Sequence, residues 1–138
     1  MPDRVRKVNY CYLTVPHRAG RGAEIFEELR AADVELMGMT GFPAKRGKAQ
    51  LDLVADRMAP IRRVARAKGW RVSKPKKGFW ITGKDQTGAV HRHVRKLQDA
   101  GVNITAANAV SAGKGRYGMM LWVKPKDYSR ASRALRAK

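Results

Sequence analysis

The chain has one cysteine, Cys11, among 138 residues. That count excludes an intramolecular disulfide and a cysteine-based metal cluster, and a reducing cytoplasm is the expected compartment. Long apolar runs are missing as well. No stretch approaches the roughly 20 residues needed to cross a bilayer and no signal-peptide core is present, so a soluble protein without a membrane partner is expected. Acidic residues are scarce, 11 against 30 Lys and Arg, which gives a net charge of +19. The imbalance is uneven: residues 1–68 carry 14 basic and 8 acidic side chains, and residues 69–138 carry 16 and 3. Such a balance suits nucleic acid, a membrane surface, small anions or merely a solvated surface, so charge alone does not select a function. Paired carboxylates, a nucleophile elbow and a phosphate loop are also lacking. No enzyme activity, catalytic residue or cofactor is expected.

What is present is a repeat. Gly20 and Gly88, Leu29 and Leu97, Val34 and Val102, and Leu51 and Met119 all stand 68 residues apart. Self-similarity at one fixed offset marks supersecondary units, each too small to bury a thick core alone. In the first copy Val8–Val15 is dense in β-branched and aromatic residues and reads as a strand. Pro16 ends it and His17–Gly22 turns. Ile25, Phe26, Leu29 and Ala32 then share one helical face over Ala23–Ala32. Val34–Phe42 reads as a second strand and Leu51–Ala55 as a half-buried third, alternating with Asp52, Val54 and Asp56. Pro60 opens a second helix, Gly69 closes it, and Trp70–Ser73 is a short fourth strand. The order is βαββαβ, a ferredoxin-like α+β module.

After the basic connector Lys74–Lys77 the pattern returns. Strand Phe79–Gly83, turn Lys84–Gly88, helix Ala89–Ala100, strands Val102–Ala112 and Tyr117–Val123, and helix Tyr128–Arg136 follow in turn. The expected modules are therefore 8–75 and 78–138. At the same offset Trp70 is matched by Lys138, so the second module is expected to lack its last strand unless another segment supplies it.

The most specific stretch is Lys84-Asp85-Gln86-Thr87-Gly88-Ala89-Val90, followed by Gly101-Val102-Asn103-Ile104. Its Asp-x-x-Gly turn and Gly-Val-Asn-Ile entry to a strand resemble the ACT domain, a regulatory ligand-binding module. The first copy departs from this pattern: His17 replaces the acid, Gly20 is kept, and Asp33-Val34-Glu35-Leu36 stands where Gly-Val-Asn-Ile is expected. The resemblance implies two tandem ACT-type modules with an effector site beside the glycine turn, commonly where two modules pack. It would be built from Asp85, Gln86, Thr87, Gly88 and Ala89 with Asn103 and Ile104; His17 and Gly20 would be weaker equivalents. The residue chemistry agrees, because glycine admits a close backbone approach and a helix start can hold a carboxylate. Asp85 can accept from an ammonium group, and it can equally cap the helix.

Other features are weighed less. RNA-recognition motifs share the βαββαβ order, and Tyr117, Gly118 and Trp122 fit their third-strand signature loosely. Met119 occupies the stacking position, however, and the first copy has Asp52 and no aromatics there. His91 and His93 are two apart on a helix and point to different faces, so no metal site is expected. His93 aligns with Ile25 and reads as a half-buried boundary residue, and Cys11 reads as a buried hydrophobe. The expectation is a cytoplasmic, homodimeric, non-enzymatic ACT-type protein binding an amino acid or similar small metabolite. A basic ferredoxin-like nucleic-acid binder is the alternative.

Overall fold

The computed structural model describes residues 2–138. The strands are β1 (Arg4–Pro16), β2 (Gly38–Pro43), β3 (Lys48–Ala55), β4 (Arg71–Val72), β5 (Lys76–Lys84), β6 (Ile104–Gly113) and β7 (Arg116–Val123). The helices are α1 (Arg21–Ala31), α2 (Ala59–Lys68), α3 (Ala89–Asp99) and α4 (Tyr128–Leu135), the last preceded by a 3-10 turn at Pro125–Asp127. The 68-residue offset is kept in space: α3 starts and ends 68 residues after α1, and β7 does the same after β3.

Two compact units divide the chain, Asn9–Lys76 and Lys77–Lys138 joined by the N-terminal residues up to Val8. In Asn9–Lys76, β3 lies between β2 and β1, all antiparallel. Leu13 pairs with Leu51 on β3 and with Val72 on β4, which puts β4 on the other edge of β1. Cys11, Leu13, Val15, Leu29, Leu53 and Ile61 form its core, all buried because β1 and β3 turn alternate residues toward the helices. The second strand starts later than its apolar run suggests. Val34 and Leu36 precede it and pack on the core from the helix–strand turn. The far face of β3 is less open than alternation predicts, since Asp52 and Val54 are both buried, Val54 opposite Tyr10.

In the other unit β7 lies between β6 and β5, and β1 is the next neighbour of β5. This is the 4-1-3-2 order of a ferredoxin-like sheet, with the N-terminal part of β1 standing where a fourth strand belongs. The place beside β5 that the repeat assigns to a fourth strand is thus filled by the Arg4–Val8 part of β1. Lys138 hydrogen-bonds Val5 and Lys7 through its backbone at 3.1 and 2.9 Å, closing the unit. Four residues of β1, Arg4 to Lys7, fall outside the expected strand because three cations obscure the period-2 signal carried by Val5. Val5 joins Phe79, Ile81, Leu97, Leu121 and Leu135 in a core of its own.

Candidate functional site at the β5–α3 turn

Gly88 ends the β5–α3 turn at φ +83°, a left-handed conformation that favours glycine, and a Cβ there would meet nothing within 4 Å. The turn therefore delivers the first residues of α3 beside the end of β6. Between them lies a pocket of about 280 Å³, whose wall includes Asp85, Gln86, Gly88, Val90, Val110 and Ser111. The size is near the lower end of the ~300–1,000 Å³ typical of small-molecule sites. Asp85 is anchored from two sides: its N–H donates to the Gly115 carbonyl at 2.8 Å, and Ser111 Oγ donates to its Oδ2 at 2.6 Å. The carboxylate caps no helix, because the N-cap is Gly88 and no side chain bonds to the helix start. Among the described residues nothing bonds the second carboxylate oxygen or the first-turn N–H groups of Val90 and His91. Val110 adds an apolar wall that is 66 % exposed.

Tyr117 backs this pocket, and its hydroxyl reaches a buried polar knot. It donates to Asp3 Oδ2, which also lies 2.7 Å from His93 Nε2 and 3.1 Å from an Arg92 guanidinium nitrogen. A carboxylate only accepts, so His93 Nε2 carries a proton, and among the described residues its buried Nδ1 and Asp3 Oδ1 have no partner. Burial alone pushes the Asp3 carboxyl upward. The bonds from Tyr117 and His93 and the charge of Arg92 outweigh it, holding the group below its ordinary value of 3.8. The same burial and the neighbouring Asp3 raise the Tyr117 hydroxyl. Gly83 makes room for the knot, since a Cβ there would fall 2.0 Å from Asp3 Oδ1.

No protein-family model matches the chain, and no curated protein matches it. Solved structures do. Protein BT0572 from Bacteroides thetaiotaomicron superposes with a TM-score of 0.80 at 14% identity, over 97% of this chain and 88% of that one. The ligand-free regulatory subunit of aspartate kinase from Thermus thermophilus gives 0.67 at 12% identity, over 99% and 95%. The same subunit from Thermus flavus gives 0.60 at 11%, over 98% and 94%. The fold is the ACT fold, in tandem. At these identities the likeness carries the architecture and no residue-level role.

Among the residues expected at the ACT effector site, the structure brings Asp85, Gln86, Gly88 and Ala89 to one pocket. Thr87 sits in the same turn, exposed and off the wall. Asn103 and Ile104 are elsewhere. They lie at the opposite end of β6 from Ser111, roughly 20 Å away at the rise of a strand. Val110 and Ser111 are not legible in the sequence as site residues, because only the β6–β7 register opposes Ser111 to Tyr117 and so brings it to Asp85; Val90 and His91 join the wall from the first turn of α3. His93 is a buried partner of Asp3 rather than a half-buried boundary residue. Tyr117 and Trp122 are 4 % and 6 % exposed, so neither presents a ring for base stacking. The other ACT unit has a matching pocket of about 250 Å³ at its β1–α1 turn; His17 lines it, while Gly20 shapes the turn at φ +85°. Among the described residues no group of three or more His, Cys, Asp and Glu can hold a metal, and no helix is long and apolar enough to cross a membrane.

Proposed function

We propose that the chain is a non-enzymatic regulatory protein that binds an amino acid or similar small metabolite in the Asp85 pocket, as a cytoplasmic homodimer. One observation carries this reading: a carboxylate held in place by Ser111 faces a pocket that also receives the open start of α3. An α-ammonium group finds an acceptor in Asp85, an α-carboxylate finds N–H donors at Val90 and His91, and a short apolar side chain lies against Val110. Gln86, Gly88 and Ala89 shape the rim. β6 supports the dimer, as the edge strand of its sheet with Val110 exposed in it.

A thermal-shift screen against the proteinogenic amino acids tests the reading, since a ligand present at 100 times its Kd adds about 2.7 kcal/mol to native stability. Calorimetry on Asp85→Ala and Gly88→Val should then show binding lost, the first for want of a polar anchor and the second by a blocked approach. Undiminished affinity in a folded Gly88→Val protein places the site elsewhere. A monomer mass by light scattering across a wide concentration range removes the dimer.

A further inference from the structure

We propose that the Asn9–Lys76 unit carries a second ligand site with the opposite charge preference: its turn pocket takes a small anion, a carboxylate or phosphate group on a short apolar body. The pocket measures about 250 Å³ at the β1–α1 turn; its charged lining is two guanidinium groups, Arg18 and Arg21, with the His17 imidazole beside them. No acidic residue lines it. His17 is the positional equivalent of Asp85, Arg18 of Gln86, and Arg21 of Ala89, each 68 residues earlier, so the carboxylate of the other pocket is replaced by an imidazole and two guanidinium groups are added. No carboxylate in the wall offers an ammonium group an anchor, and two guanidinium groups repel it. They attract an anion.

The donors are only partly used. Arg21 reaches Glu24 Oε2 at 2.8 Å and Arg18 reaches the same oxygen at 3.4 Å, so two guanidinium groups share one half-exposed carboxylate. Arg21 Nε is buried and bonds to nothing among the described residues. Guanidinium forks suit carboxylate and phosphate oxygens, and Glu24 can keep one face of each while a ligand takes another. The rest of the wall is apolar, with Pro16, Phe42, Pro43 and Leu51, and Phe42 is 44 % exposed. An anion with an apolar body matches that division. The site stands on its own residues, whether or not the Asp85 pocket binds an amino acid.

The full chain, isotope-labelled, is titrated with succinate, inorganic phosphate and phenyl phosphate while amide shifts are followed. At least one of them should perturb His17, Gly22, Gly41 and Phe42 together, and the probe that does so separates carboxylate from phosphate recognition. Arg18→Gln with Arg21→Gln should weaken that probe tenfold or more, with an unchanged melting temperature confirming the fold. Because a net charge of +19 attracts any anion, Arg63→Gln with Arg66→Gln serves as the control, removing the same charge from exposed positions of α2. Retained affinity in that control supports the site. Equal weakening in both double variants, or no localised shift with any probe, overturns it. Asp85→Ala should leave anion binding unchanged, and a parallel loss there would also overturn it.

Discussion

The two units hold their pockets on one backbone and fill them with opposite chemistry. Gly20 and Gly88 have φ of +85° and +83°, and the strand-end N–H of His17 bonds Gly47 just as that of Asp85 bonds Gly115. On this shared frame one pocket presents His17, Arg18 and Arg21, the other Asp85 with Ser111. Behind the pockets the contrast continues. Position 25 of α1 is a fully buried Ile, whereas its equivalent on α3 is His93, tied to Asp3 and Tyr117. Backbone geometry is set by a few left-handed residues and strand registers, so side chains at the turn and under the first helical turn are free to diverge. A repeated fold therefore does not imply a repeated site.

The largest expected effect tests the apolar side of this contrast. Ile25→Ala removes a side chain with no exposure from a packed core and should cost about 3–4 kcal/mol. Urea denaturation read by hydrogen exchange on β1 and β3 amides measures it; a loss under 1 kcal/mol would mean that α1 is not packed as described.

Asp3→Ala comes next, at about 2–3 kcal/mol, because it removes the charged acceptor shared by the buried Tyr117 hydroxyl and His93 Nε2 and leaves them only each other at 3.1 Å. Its pH dependence has a definite sign. The native carboxyl lies below its ordinary 3.8, so the stability it contributes is complete above that value and is lost as pH falls through the lowered native one. The gap between wild type and Asp3→Ala should narrow in acid, and a gap of unchanged size there would show that the charge contributes nothing.

Gly20→Ala and Gly88→Ala sharpen the backbone half of the comparison. Both glycines are left-handed and both have open space where a Cβ would go, so each substitution should cost about 1 kcal/mol by conformation alone. Unequal costs would mean that the two turns are not equivalent.

Cys11 should give the smallest effect, none. It occupies the position of Phe79 in the other unit, both without exposure, and burial pushes its thiol up to about 11 despite Arg62 nearby. Native protein at neutral pH should not react with a thiol reagent, and labelling should begin only as urea opens the Asn9–Lys76 unit.

The repeat, the element order and the turn that carries Asp85 and Gly88 were legible in the residues alone. These follow from local rules: period 3.6 in Ile25 and Leu29, alternation in Leu51 and Leu53, a glycine where φ must be positive. Tertiary structure alone decided the rest. It brought Arg4–Val8 to the sheet beside β5, set Asp3 against His93 across 90 residues, buried Asp52 on the far face of β3, and chose Ser111 over Asn103 as the neighbour of Asp85. Each of these depends on which strand edges meet and in what register. Period and composition are properties of a short window, and pairing between distant segments is fixed only when the whole chain has buried its apolar faces and satisfied its polar ones.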